Sequence, residues 1–509
     1  MTKGDKSYFS ASPRLSRRSL LRGAPLGAAS LLAMRSAGPA WAQAQAPAAT
    51  DYSIRIAPTS LEIAPGKIIQ TTAYNGTVPG PVLRLKEGRP VKIEVKNDSG
   101  YANLIHWHGL LIPSAQDGAT EEGSPIIDPG KSLTYSFVPK PSGTRWYHSH
   151  AMAMTDLSKS TYSGEFGFLL VEPAAGDPDS YDREVLLAAH HWDGHWVSLQ
   201  DIKKGPPPNN GLEAMYHAAT LGDRMLGHGD PIRVREGERV LFRVLNASGN
   251  MGISLALPGH RFQVLALDGN PVPTRATVDI LKLDVAERAD VIVEMNNPGV
   301  WVFGSTDDED RNMGMGVVVE YANRSGEPAW TAPASKTWDY TAFGKTAGTA
   351  AAPDETIPLK FEKVPGGRGG YNRWTINGKS WPDTNPLFTV TEGKRFRLVM
   401  NNNSGDEHPV HMHRHSFENQ GRRQVNIRRD QGHHKPATLF HRGNRLRSRR
   451  SGRHVLPLPS SGSHGRRFRG PDYLSMRPGQ EVGSPRSVPK VRMRFIESFL
   501  TSDGAVSQA

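Results

Sequence analysis

Beyond Asp51 the chain alternates apolar and polar residues over short runs broken by Gly, Pro and Asn, and few stretches carry a helical period. That pattern predicts half-buried strands joined by turns, an all-β protein built of sandwich domains. One unit recurs. LRLKEGRPVKIEVKNDSG (83–100), IRVREGERVLFRVLNASG (232–249) and FTVTEGKRFRLVMNNNSG (388–405) each read as a strand, a Glu-Gly turn, a second strand and an Asn/Ser/Gly loop. The Glu-Gly pairs begin at Glu87, Glu236 and Glu392, 149 and 156 residues apart, far longer than a solenoid repeat. Three homologous domains are therefore expected, over 51–174, 180–335 and 355–418, with linkers in AAGDPDS (174–180) and KTAGTAAAPDE (345–355).

The three copies differ in the residues that come after them. Nine residues past Asn97 stands His106, with His108 two further on; nine past Asn402 stands His411, with His413 two further on. Nine past Asn246 stand Leu255 and then Leu257, both apolar. A third H-x-H, His148/His150, lies in RWYHSH, and His408 precedes the last pair. Residues i and i+2 of a strand share a face, so each unit can present two imidazoles side by side. One such pair is weak evidence of a metal site; three, two of them at matching repeat positions, predict one built by domains one and three with domain two as spacer. All-imidazole ligation suits copper or zinc better than Mg or Ca. No H-E-x-x-H accompanies the pairs, which argues against a zinc hydrolase.

Charge changes the picture at the two ends only. The chain carries +12 overall, but residues 419–509 hold +14 and residues 1–42 hold +6, leaving an acidic body of −8. A nucleic-acid-binding arm at the C-terminus would call for aromatic interleaving and a known module; the tail shows little of the first and none of the second. At the N-terminus, SRRSLLRG, the apolar stretch 24–34 and Ala40-Trp41-Ala42 occur in the order of a twin-arginine export signal over 1–42. The apolar run is too short for a permanent membrane anchor. With no cysteine, the domains must hold without disulfides.

HWHGL, HSH and HPVHMHRHSF, in that order on three sandwich domains behind an export signal, resemble the three-domain bacterial multicopper oxidases, laccase-like members included. The resemblance spans roughly 51–418. It implies cupredoxin-like Greek-key domains, four copper ions in an intact member, a monomer, and O2 with a small reducing substrate or metal ion as partners. On that pattern His106 and His411 would hold the type 2 copper, and His108, His148, His150 and His413 the type 3 pair. His408 would be one ligand of the type 1 copper. Asp117 matches a family acid that helps move protons near the cluster; it reads nearly as well as a turn Asp before Gly118. Arg414 departs from the commoner H-x-H-G-H form. Two short methionine pairs, Met152/Met154 and Met313/Met315, read as core or loop filler and leave the donor open among phenols, aromatic amines and metal ions.

The same family needs a His-Cys-His motif after the third pair, and the chain offers HPVHMHRHSFENQGRRQVNIRRD (408–430) running into Arg-rich sequence with no period. Read one base out of phase, VLPLPSSGSHG (455–465) permits Phe-Phe-His-Cys-His-His-Gln-Asp-His-Met. Cysteine falls at Leu458, cluster histidines at Pro457 and Pro459, the second type 1 histidine at Ser463 and the axial Met at His464. First and third bases are fixed by the residues present; only the middle base is unconstrained. An extra base near Glu418/Asn419 would thus leave 419–509 as a frame-shifted, disordered tail and the third domain incomplete. Two classes stay open: a copper oxidase whose true frame carries the cysteine, inactive as written, and a non-catalytic exported copper-binding or scaffold protein.

Overall fold

The computed structural model describes residues 50–151, 159–193, 216–344, 352–364, 373–380, 387–404, 408–419, 424–428 and 490–493. The export signal, Met152, Met154, most of the second linker and the out-of-phase motif at 455–465 lie outside the described residues. As expected, the architecture is all-β in three consecutive sandwiches. In the first, one sheet orders Lys67–Tyr74, Tyr52–Ala64, Val91–Asn97 and Ser132–Phe137; the facing sheet orders Gly80–Lys86, Phe166–Glu172, Gly143–Ser149 and Ile105–His108. Between them Ile54, Ile93, Trp107, Tyr135, Tyr147 and Leu169 form a closed core. Burying side chains of this size, at about 1.5–3 kcal/mol each, is what a cysteine-free sandwich has to rely on.

The repeated unit has a definite structural job. Its two strands do not pair with each other: Gly80–Lys86 and Val91–Asn97 sit in opposite sheets, as do Ile232–Val234 and Arg239–Asn246, so the Glu-Gly turn is a sandwich corner. Gly88, Gly237 and Gly393 take φ of 77, 82 and 83°, a left-handed conformation that favours glycine. At the other end of the unit the asparagine is buried and ties down the next loop. Asn97 Nδ2 donates to the carbonyls of Tyr101 and Ile127, both at 2.7 Å, and its Oδ1 accepts from Ser99 N at 3.0 Å. Asn246 and Asn402 accept from Ser248 N and Ser404 N in the same way. This Asx turn fixes where the chain starts back along the sandwich, which is why the histidine pairs recur nine residues later.

Domain two packs on domain one through a second apolar layer: Trp146, Phe166, Phe168 and Leu170 meet Ala188, Trp192, Leu245 and Val285. The continuous run FGFLLV is apolar on both faces because both faces are covered. The strand that carries His148 is also pinned to domain two by polar contacts. Thr144 Oγ1 donates to Asp290 at 2.6 Å, and buried Arg145 donates to the Asp268 carbonyl at 2.6 Å and to Asn270 Oδ1 at 3.0 Å. In domain three, Glu355–Val364 and Phe396–Asn402 pair in parallel over Leu359, Phe361, Leu398, Val410, Met412 and Phe417.

The segment from 419 on is not structureless throughout: Gln424–Arg428 pairs with Phe396–Asn402 and with Ser416–Asn419, and Lys490–Met493 pairs with Phe388–Thr391. Backbone ladders are indifferent to side-chain pattern, so an open sheet edge recruits an extended segment that carries no periodicity. Among the described residues no helix is long and apolar enough to cross a membrane.

Candidate metal centre

His106 and His108 lie on the strand Ile105–His108, which pairs in register with Gly143–Ser149 so that His106 faces His148 across the ladder. The other two pairs depart from the expected strand geometry. His150 comes just after the end of its strand, and His411 and His413 lie in an irregular segment rather than a strand. At the last pair the irregular segment ends in a turn at His413 and Arg414, where Arg414 is left-handed with φ 57°. An L-residue other than glycine is disfavoured there by roughly 1–2 kcal/mol.

The six imidazoles nevertheless converge. Around His106, ring centroids of His108, His148, His150, His411 and His413 lie at 5.4, 5.2, 5.5, 5.4 and 4.1 Å. His108 stacks on His411 at 3.8 Å, and His150 meets His413 at 5.1 Å. The Nε2 atoms of His106 and His411 are 3.2 Å apart, and His108 Nδ1 is 3.3 Å from His148 Nε2. His106, His108 and His411 place one ligand atom each within 4.8 Å of one another, and so do His106, Asp117 and His413. His408 sits separately in the domain-three core, its ring stacked on Phe361 at 5.6 Å and its Nε2 2.7 Å from Ser404 Oγ.

The acceptors set the tautomers. His106 Nδ1 is 2.7 Å from the Asp117 carbonyl, His148 Nδ1 2.9 Å from the Ser149 carbonyl, and His413 Nδ1 2.7 Å from Asp117 Oδ2. Carbonyl and carboxylate oxygens only accept, so each Nδ1 carries the proton and each Nε2 is the lone-pair nitrogen. Protonation of the rings is suppressed as well. Burial, then the neighbouring His413, holds His106 well below the ordinary histidine value; burial, then His411, does the same to His108. Burial, then His150, lowers His148 to about 3. Neutral, buried imidazoles with oriented lone pairs suit a borderline-soft cation such as copper.

Asp117 is more than a turn residue. It caps the short turn Ser114–Gln116, is fully buried, and bonds one histidine of each domain through its carbonyl and its carboxylate. The glycine at 118 is required by space: a Cβ on Gly118 would lie 1.9 Å from the Ile105 carbonyl. Replacing Asp117 with Asn keeps the carbonyl contact to His106 but confronts His413 Nδ1–H with a weaker acceptor or a second donor. The expected result is a loss of copper affinity on the order of 10–100-fold by chelator competition, with the fold retained. Unchanged affinity would return Asp117 to the status of a turn residue.

Two features escaped the sequence. Glu165 is buried behind the His148–His150 segment, accepts from Tyr101 Oη at 2.6 Å and Asn103 Nδ2 at 2.8 Å, and is pushed by burial up to about 7. The available signal was a lone acid inside the apolar run GEFGFLLV. Glu122 pairs with Arg414 across the domain junction, 292 residues away along the chain, with no local signal at all.

Family models described as multicopper oxidase match residues 56–176, 213–322 and 357–469. The Multicopper oxidase MmcO of Mycobacterium tuberculosis is 29% identical over 69% of this chain and 73% of its own length. Copper resistance protein A of Pseudomonas syringae pv. tomato is 31% identical over 58% of this chain, which spans about half (55%) of that relative. In fold, the chain is similar to Fet3p, described as a multicopper oxidase that functions in iron import, with a TM-score of 0.61 at 18% identity over 77% of this chain and 82% of that one. Three sandwiches, histidines on the first and third, and family matches on all three place this chain in the multicopper oxidase family.

Proposed function

We propose that the lineage of this chain is an exported oxidase coupling one-electron oxidation of a phenol, an aromatic amine or a metal ion to reduction of O2 to water. We propose further that the 509-residue product as written lacks electron entry. The convergence of six buried imidazoles from domains one and three carries the first part. On this reading His106 and His411 hold the type 2 copper, His108, His148, His150 and His413 the type 3 pair, and His408 one side of the type 1 site. Bound copper would supply the redox couple joining donor to O2. The chain's own residues prepare that site: Asp117 and Ser149 hold protons at Nδ1 of His106, His148 and His413, which leaves each Nε2 as the lone-pair nitrogen. Asp117 lies between His106 and His413 and accepts from His413 Nδ1 through its carboxylate, beside the centre.

The missing cysteine carries the second part, since a type 1 site is His2Cys. The third family match runs from 357 to 469 and so extends past Asn419, which supports reading the tail as part of the third domain's lineage. A second reading, a non-catalytic copper binder, is favoured by the same combination of an assembled histidine cluster and no thiolate. The test is copper loading of the full chain and then desalting. Fewer than four ions retained, a type 2 electron-spin signal, no blue absorption and no O2 uptake with phenols or cuprous ion are expected. Blue absorption with turnover would overturn the loss of electron entry, and failure to retain any copper would overturn the metal reading.

A further inference from the structure

We propose that Arg414 is a clamp between domains one and three that keeps the imidazole cluster assembled before metal is taken up; the inference rests on the metal-site reading above. Arg414 stands in the left-handed conformation where glycine would be free of strain, so its side chain must be held by something that offsets the strain. The contact is Glu122, on the short turn Thr120–Glu122 of domain one. Arg414 Nε donates to Glu122 Oε2 at 2.9 Å and Nη2 donates to the same oxygen. Arg414 Nε also lies 4.0 Å from Asp117 Oδ2, the oxygen that accepts from His413. The pair is largely removed from water, with side chains 20% and 8% exposed. Domain one supplies His106, His108, His148, His150 and Asp117, and domain three supplies His411 and His413. Without metal, assembly of the centre depends on what crosses that junction, and the crossing contacts include a cation poised against two carboxylates directly behind His413. Metal bound by histidines of both domains would itself tie them together. The clamp therefore matters most in the metal-free protein.

The test is hydrogen–deuterium exchange over 408–419 in the full chain, metal-free and copper-loaded, for wild type, Arg414→Gly and Glu122→Gln. Arg414→Gly relieves the backbone and removes the clamp; Glu122→Gln leaves the backbone alone and removes the charge partner, which guards against a folding artefact of the first. Both are expected to speed metal-free exchange about tenfold, between the values for exposed and buried pairs, and to differ much less once copper is bound. Exchange in metal-free Arg414→Gly and Glu122→Gln equal to or slower than wild type would overturn the clamp. If wild type takes up no copper, the metal-site reading fails, while the metal-free comparison still decides the role of Arg414.

Discussion

Deleting one base near codon 419 is expected to yield a blue, donor-oxidising protein, where the 509-residue product is expected to show no turnover. The 509-residue sequence holds no cysteine to ligate a type 1 copper, and on the reading proposed above electrons then have no route from donor to cluster. The repaired frame would place Cys at 458, His at 457, 459 and 463 and Met at 464, completing with His408 a type 1 site and with the six assembled imidazoles the cluster. Expression of both versions in a host able to export folded proteins, then visible spectroscopy and O2 uptake with a phenol, decides the matter. Colour and turnover in the repaired protein alone would support the out-of-phase reading. A repaired protein that stays colourless after copper loading would show the out-of-phase match to be accidental.

How much of this was legible in sequence depends on whether the information is local. The corner glycines, the buried asparagines and the H-x-H pairs come one after another within each repeat, so counting from Asn97 and Asn402 leads to His106 and His411, and the structure brings them to 3.2 Å of each other. Strand geometry was not legible for His150, which falls one residue past the end of Gly143–Ser149, nor for His411 and His413, whose segment is irregular and runs into left-handed Arg414. Glu122 and Arg414 could not be paired from sequence, since nothing near either residue encodes a partner in another domain. Glu165 was visible only as an oddity in an apolar run; its partners Tyr101 and Asn103 come from a loop more than sixty residues earlier. The strands at 424–428 and 490–493 arise from the needs of sheet edges rather than from their own pattern.

Metal-free protein is expected to lose stability steeply below neutrality, and the buried histidines set the direction. In the fold His148 is held at about 3, His408 at about 4 by burial and then Lys363, and His106 and His108 well below 6.5. The unfolded chain titrates each near 6.5, so below that value the unfolded state binds more protons than the folded state. Stability is intact above pH 6.5 and is lost as pH falls toward the folded values, by about 2 kcal/mol at pH 5 for His148 and for His408, with His106 and His108 acting in the same direction. Glu165, pushed up to about 7, acts with the opposite sign, since folding then favours its protonated form as pH falls. A difference measurement removes that opposing contribution. Urea unfolding of wild type and His148→Asn, both metal-free, at pH 7.5 and pH 5 should show wild type losing about 2 kcal/mol more than the variant between the two conditions. Parallel pH profiles would mean that His148 is as readily protonated in the folded protein as in the unfolded chain. Neutral imidazoles held for a metal are, on this account, also the reason the metal-free form is sensitive to acid, and copper bound at Nε2 should shift that loss to lower pH.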